Sequence, residues 1–302
     1  MSTRDSNKEL VSIVLTTLNA ARFLRESVDS CLNQTYSNLE LLAVDGGSTD
    51  GTVEILQSYT DPRMRLIHQT NNEGKLPGAI NLGLEHASGD YLTWMQADSL
   101  YDPDTISKMV AALEAHPEVG QVYADYRVID EGGLVLQIAR TREPEEFLGN
   151  LGDSAGPCFM IRREVRETVG PHHIHAFPSQ DYDYRMRIAM RFQSLHLHEP
   201  LYSWRTHGDS LSSYYSWADL ARKDVAIRLD LGMDTPRESH KWAAEVEMAE
   251  AFDHYQSGRM KYVPRLVLSG LRLNPAFAAN RGVWSILIKS LFSSKAKIQK
   301  AE

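Results

Sequence analysis

The chain is 302 residues long with a formal net charge of -8, and 42% of its residues are hydrophobic and 24% charged. That balance suits one large folded core, or a core with an appendage, and argues against a disordered chain. The acidic total argues against a general nucleic-acid binder, which needs a basic face to displace phosphate counterions, although a local basic patch remains compatible with it.

Two cysteines, Cys31 and Cys158, stand far apart and outside any CxxC pair. The pattern offers neither a disulfide framework nor a thiolate zinc site, and two small buried residues in a reducing cytosol are expected. The N-terminal stretch MSTRDSNKEL is polar and lacks the apolar run of a signal peptide, and no window approaches the roughly 20 apolar residues that span a bilayer. A cytoplasmic protein is the expectation.

In chain order, VSIVLTT (11–17) reads as a strand and ARFLRESVDSCLNQ as an amphipathic helix. A second strand, LELLAVD (39–45), leads through GGSTDGT into the helix TVEILQSY, where Ser48 or Asp50 is placed to cap free amides. MRLIHQ (64–69) is the third strand; PGAINLGLEHA follows a glycine-containing loop as a helix, and YLTWM is the fourth strand. This alternation predicts a mainly parallel sheet with helices on both faces, an α/β fold. Beyond Asp104 a helix (104–115), the strand GQVYADYRVI, the turn DEGG and the strand LVLQIA indicate a mixed sheet. CFMIRREVRETVG, SQDYDYRMRIAMRF and SLHLHEPLYSWRTHG supply further strands and helices to about residue 213. From Trp217 the pattern is almost wholly helical. The boundary is placed near 214, giving a catalytic-type domain over 8–213 and a helical region over 214–302, in which 249–275 resembles a single helix-turn-helix repeat.

Ligands in an open parallel sheet gather at the carboxyl ends of its strands, where loops and helix N-termini present free amides. Four such ends carry polar clusters: TTLN (16–19), DGGSTDG (45–51), NNEGK (71–75) and QADS (96–99). Each alone is an ordinary turn; their order and spacing together point to a site.

The run VSIVLTTLNAARFLRESVDSCLNQTYSNLELLAVDGGSTDGT, followed by NNEGKLPGAINLGLEHASGDYLTWMQADS, resembles the family 2 glycosyltransferases over about residues 9–210. The resemblance implies a GT-A fold with a mixed, mainly parallel central sheet, a nucleotide-diphospho-sugar donor that is UDP-, GDP- or dTDP-linked (a UDP-sugar favoured), a divalent Mg2+ or Mn2+, and transfer with inversion; the sequence shows neither spanning helices nor a Q-x-x-R-W segment, so addition of a single sugar is expected rather than processive synthesis. By the same resemblance Thr17 and Asn19 meet the nucleotide, and Asp45, in a turn opened by Gly47, reads the base or ribose. The second acid usual there is Gly46. Lys75 meets a phosphate or is a solvated surface lysine. QADS takes the place of the metal-binding DXD motif: Gln96 replaces the first acid and reaches a ribose or sugar hydroxyl, Ala97 lines the turn, Asp98 keeps the central acid, and Ser99 replaces the last. One or two carboxylates suffice for magnesium when diphosphate oxygens and water complete its octahedron; the competing reading makes Asp98 a cap of the next turn. SQDYDYRMR resembles the E-D-x-D-x-x-x-R segment, which makes Asp181 the base that accepts the acceptor hydroxyl's proton. Gln180 stands in the place of the usual Glu, and Asp183 and Arg187 are expected to pair. WRTHGDSLS (204–212) resembles Y-R-x-H-x-x-S-x-S, and His207 matches the histidine that reaches metal or diphosphate.

The run PHHIHAFP (171–178) is rejected as a zinc site, since adjacent histidines rarely converge and no fourth ligand is evident, and is read as a loop bordering the acceptor pocket. The stretch 281–300 combines Trp284, Ile286, Leu287, Ile288, Leu291 and Phe292 with Arg281, Lys289, Lys295, Lys297 and Lys300. It reads either as an interfacial helix on an anionic membrane or as a helix packed on the rest of the chain. The expected acceptor is a saccharide or lipid-linked saccharide at the inner face of the membrane, and the C-terminal helices are the surface considered for a homodimer. A degenerate nucleotide-sugar-binding scaffold is the alternative, motivated by Gly46, Gln96, Ser99 and Gln180. A sugar nucleotidyltransferase is less well matched, because the TTLNA turn is neither Gly-rich nor basic.

Overall fold

A computed structural model describes residues 9–149, 151–152, 156–210 and 214–298, with the side chains of Asn71 and of residues from 292 onward outside the description. Residue 8, where the catalytic domain was expected to begin, Leu211 and Ser212 of the late motif, Ser213 at the expected boundary, and residues 299–302 therefore lie outside the described residues. The chain divides into two compact units, Met1–Ser213 and Tyr214–Glu302.

In the first unit, strands β1 (Val11–Thr17), β2 (Leu39–Asp45), β3 (Met64–His68) and β4 (Tyr91–Gln96) pair in parallel in the order β3-β2-β1-β4. Helices α1 (Leu24–Leu32), α2 (Thr52–Gln57) and α3 (Lys75–His86) connect them. Successive side chains of a strand face opposite sides of the sheet, and every residue of β1 is buried, so both faces must be covered. Val11, Ile13 and Leu15 join Leu24, Val28 and Cys31 of α1 in the main core. On the other face Val14 and Val44 meet α3, and so closely that a Cβ on Gly83 would stand 2.3 Å from Val14 Cγ1. Glycine is required there for the helix to reach the sheet.

The later strands make the sheet mixed. β5 (Leu100–Tyr101) is a two-residue strand, and after α4 (Thr105–Ala115) comes the long β6 (Val119–Ile129) with its antiparallel hairpin partner β7 (Val135–Ala139). β8 (Phe159–Arg162) lies between β4 and β6, antiparallel to both. Helices α5 (Arg163–Val169) and α6 (Gln180–Ala189) follow, and β9 (Gln193–Arg205) returns parallel to β6 and antiparallel to β5. Lys75, expected in a loop, is the first residue of α3, entered through Gly74 at φ 74°. The helix begins two residues before Pro77, a position where proline's missing N–H costs nothing.

The second unit holds α7 (Trp217–Asp230), α8 (Pro236–Gln256), α9 (Val263–Leu273) and α10 (Arg281–Ile298). Thr235 and Glu238 form a reciprocal capping box at the start of α8, with Pro236 in its first turn. Its core gathers Ala251, Val263, Val267, Val283, Ile286 and Leu287. Gly270 of α9 lies against Met248 of α8. Among the described residues no helix is long and apolar enough to cross a membrane.

Candidate active site

The parallel register brings the sequence-predicted residues to one edge of the sheet. Thr17 is opposite Asp45, and Thr16 is opposite Gln96. The β1 and β2 ends are stitched together by side chains. Asn19, at φ 51°, donates its amide to Ser48 Oγ at 2.8 Å and accepts from the Thr49 amide at 2.9 Å. Ala20 and Ala21 donate their amides to Thr52 Oγ1 and Asp50 Oδ2. Asp50 also accepts from the Thr52 amide at 3.1 Å, while the residue that opens α2 is Gly51 at φ 96°. Of the two expected capping residues, Asp50 thus bonds α2, and Ser48 bonds the neighbouring loop instead.

Asp45 is 1% exposed. It accepts from the Gly47 amide at 3.0 Å, the Ser48 amide at 3.1 Å, Ser48 Oγ at 2.5 Å and Thr17 Oγ1 at 3.3 Å. Gly47 at φ 95° makes this tight return possible, a conformation that side-chain-bearing residues rarely adopt.

Asp98 is held quite differently. Its Oδ2 lies 3.1 Å from His207 Nε2, and its Oδ1 accepts from Ser99 Oγ at 3.0 Å. The pair joins residues 109 positions apart, from the β4 end and the segment after β9. No backbone amide among the described residues donates to the Asp98 carboxylate, so the capping reading of Asp98 finds no hydrogen bond. His207 is half enclosed by Phe23, ring centroids 5.0 Å apart, and its Nδ1 is buried with no partner among the described residues.

Arg205, which sequence reasoning passed over, fixes this arrangement. It is 1% exposed and donates to the Asp98 carbonyl at 2.9 Å, the Glu131 carbonyl at 2.8 Å and Glu26 Oε2 at 2.6 Å, with Phe23 beneath its guanidinium. The R of the WRTHG stretch was the available signal. Phe23 had none, because an apolar residue at a helix start reads as core.

Gln96 accepts from the buried Tyr202 hydroxyl at 3.4 Å. Ala97 is buried in the turn between Gln96 and Asp98. Lys75 Nζ lies 4.8 Å from the centre of the Phe177 ring, in the loop that leads into α6. Asp181 occupies the first turn of α6, where Gln180 Nε2 donates to its Oδ2 at 2.9 Å. Tyr184, one turn further on, packs edge-on against Trp94 of β4, so this helix is anchored to the strand that ends at Gln96. Asp183 is buried and bonds Arg187 Nη2 at 2.7 Å and His173 Nδ1 at 3.0 Å, forming the expected pair. The neighbouring histidines diverge: His173 turns to Asp183, while His172 is buried, stacked at 3.9 Å on Tyr184.

The donor set at Asp98 and His207 fits a divalent cation. One carboxylate oxygen and one imidazole nitrogen 3.1 Å apart match the roughly 3.0 Å edge of an octahedron with bonds of about 2.1 Å, and the carboxylate, together with diphosphate oxygens, suits manganese or magnesium. The cysteines take no part: burial pushes the Cys31 thiol up to about 12 and Cys158 well above its ordinary value.

The family model described as "Glycosyl transferase family 2" matches residues 12–170. EpsE of Bacillus subtilis (strain 168), named as a glycosyltransferase, is 38% identical over 207 residues, covering 66% of this chain and 74% of EpsE. An uncharacterized glycosyltransferase of Haemophilus influenzae is 33% identical over 144 residues, covering 47% of this chain and 57% of the relative. Another, from Rickettsia felis, is 36% identical over 206 residues, which is 64% of this chain and only 33% of that longer protein. Among solved structures, the 1-349 segment of Staphylococcus aureus TarS in complex with UDP-GlcNAc aligns with a TM-score of 0.63 at 13% identity, covering 97% of this chain and 92% of that segment. The mannosyltransferase PcManGT of Pyrobaculum calidifontis, in complex with GDP-Man and Mn2+, aligns at 0.59 and 20% identity, covering 97% of this chain and 81% of PcManGT. Those structural likenesses establish the GT-A fold. With the family model spanning more than half of its length, the chain belongs to glycosyl transferase family 2.

Proposed function

We propose that the chain moves a single sugar, with inversion, from a nucleotide-diphospho-sugar to a hydroxyl of a saccharide or lipid-linked saccharide. The observation that carries this reading is the Asp98–His207 pair: a carboxylate and an imidazole drawn together across 109 residues at the sheet edge where the nucleotide-facing turns end. The complexes of TarS with UDP-GlcNAc and of PcManGT with GDP-Man and Mn2+ support a nucleotide-sugar donor and a divalent ion. A UDP-sugar is the donor we favour.

In this reading Thr17, Asn19, Asp45 and Gly47 form the nucleotide turn, Gln96 and Ala97 line the ribose and sugar side, and Lys75 faces phosphate. Asp98 and His207 hold Mg2+ or Mn2+, which when bound offsets negative charge on the leaving diphosphate. Arg205 keeps Asp98 in place through its carbonyl. Asp181 accepts the proton of the attacking hydroxyl. It sits in the first turn of α6, where the amide of Gln180 holds one of its oxygens. The exposed Trp284, Ile288 and Leu291 on α10, beside the buried Val283, Ile286 and Leu287, support contact with an anionic membrane surface.

The test is a screen of UDP-, GDP- and dTDP-sugars for thermal stabilisation and nucleotide release, with and without Mg2+ or Mn2+. One donor is expected to stabilise the protein metal-dependently and to be slowly hydrolysed, with Asp181→Asn retaining donor binding and losing release by about 10²- to 10⁴-fold. Binding without metal effect or turnover would instead mark a nucleotide-sugar-binding scaffold.

A further inference from the structure

A second cluster of ligating side chains lies on β6, β9 and the segment after β7, and shares no residue with the nucleotide-side site. Glu143, His196 and His198 present one ligand atom each, all within 4.8 Å of one another. Glu143 Oε1 is 3.2 Å from His196 Nδ1 and 3.8 Å from His198 Nδ1. A tetrahedral zinc ion with bonds of about 2.0 Å places its ligands roughly 3.3 Å apart.

The convergence is a product of sheet geometry. His196 and His198 are alternate residues of β9 and face the same side. The β6–β9 register runs from Ala124 opposite Leu197 to Asp125 opposite Pro200, so His198 and Glu199 bulge out of the ladder. Bulges re-aim side chains, and here the result is two imidazoles with ring centroids 4.1 Å apart.

The hydrogen bonds of His196 call for a cation. Its Nε2 lies 2.8 Å from Asp125 Oδ1 and 2.7 Å from Thr141 Oγ1. Its Nδ1 faces the Glu143 carboxylate. A neutral imidazole carries one N–H, so whichever tautomer forms, one nitrogen lone pair points at a carboxylate oxygen. A second ring proton relieves this; so does a metal ion between Nδ1 and Glu143. The Asp125 contact favours the metal, because a carboxylate that takes the N–H of a ligating imidazole fixes its tautomer and raises its basicity. Tyr123, stacked on the ring at 4.8 Å, holds its plane.

We propose that Glu143, His196 and His198 form a site for a borderline transition-metal dication, Zn2+ first, with water as the fourth ligand and Asp125 orienting His196. The ion would tie the β9 bulge to the segment 141–149. Full-length protein, freed of metal by chelation and held without nucleotide, would be titrated with Co2+ and then Zn2+. One Co2+ per chain with the intense visible absorption of a tetrahedral site, displaced by one Zn2+, is expected. His198→Ala and Glu143→Gln, both at exposed positions, should each weaken Zn2+ binding at least tenfold with the far-UV circular dichroism unchanged. Asp125→Asn should weaken it 10- to 100-fold, and Asp98→Ala should leave it as in the native chain. Absence of stoichiometric binding, or binding that survives His198→Ala and Glu143→Gln but is lost in Asp98→Ala, would overturn the proposal.

Discussion

Asp45 ends β2 and Asp98 follows β4, the two strands that flank β1, and their surroundings differ in kind. Asp45 is closed in by two backbone amides and two hydroxyls, all from its own turn or from the adjacent strand end. Asp98 has one hydroxyl and one imidazole, and that imidazole keeps a buried nitrogen without a partner among the described residues. A buried carboxylate that takes two amides of its own turn shapes the backbone, because removing it leaves those amides without their acceptor. A carboxylate set against an incompletely bonded imidazole has capacity left for something that the chain does not itself supply. The first acid holds its own turn, and the second is the one proposed to meet the metal.

Substitution should separate the two. Asp98→Ala is expected to lower metal-dependent nucleotide release by about 10²- to 10³-fold, the range for removing one group that stabilises developing charge. Its carboxylate is partly exposed and bonds no backbone amide among the described residues, so the melting temperature in the absence of donor should stay within about 2 °C of the native chain. If Asp98→Ala melted far earlier with activity intact, the contrast with Asp45 would be gone.

Asp45→Ala should show the reverse. The Gly47 and Ser48 amides lose their acceptor in a part-buried turn, and at about 0.5–1.5 kcal/mol for each hydrogen bond the loss comes to roughly 1–3 kcal/mol in a chemical-denaturation curve. Asp45→Asn keeps one acceptor oxygen and should recover part of that loss. A stable Asp45→Ala that has merely lost donor affinity would mean that the nucleotide, rather than the turn, is what this acid serves.

A third substitution calibrates the scaffold beneath both acids. Gly83→Ala inserts a methyl group where Val14 already stands, 2.3 Å from the new Cβ, and β1 cannot retreat because its other face is packed on α1. Overpacking of this kind costs about 1–3 kcal/mol. The loss should appear as a lowered stability in a chemical-denaturation curve.

How far the sequence reveals this arrangement depends on the range of the interactions. Strands β1 to β4 and their helices are legible because burial on both faces leaves unbroken apolar runs and because local turns punctuate them. The insertion of β8 between β4 and β6, and the parallel pairing of β6 with β9, are decided by contacts between distant segments, and no local pattern carries them. The same holds for the site. Asp98 was legible from its place after a strand, and His207 from its motif, but their 3.1 Å approach needs β9 to return beside β5. SLHLHEP read only as strand; what makes its histidines converge is the register shift opposite Asp125, a property of the pair of strands. Phe23, apolar and at the start of a helix, gave no sign of lying against both Arg205 and His207.

The smallest expected effect concerns the helix that carries Asp181. His172 is stacked on Tyr184 of α6 and edge-on to Trp94, and both of its ring nitrogens are buried without a partner among the described residues. Burial holds its pKa well below 6.5, and the positive charges of Arg187, Arg166 and Arg185 push the same way. The folded state therefore keeps this ring neutral at a pH where the unfolded chain takes up a proton. Its contribution is complete above about pH 6.5 and is lost as pH falls from there towards the depressed folded value, with a slope of at most about 1.4 kcal/mol per pH unit. Denaturation curves between pH 7.5 and 5.5 should show that loss in the native chain and a shallower one in His172→Phe, which keeps the stack on Tyr184 and removes the proton. Because α6 carries Asp181, the proposed base, while Asp98 is held by Arg205, acidification in this range should weaken the support of α6 before it disturbs the Asp98 carbonyl anchor. Equal slopes for the two chains would mean that His172 finds a proton-sharing partner in solution and that α6 is no more acid-sensitive than the rest of the sheet.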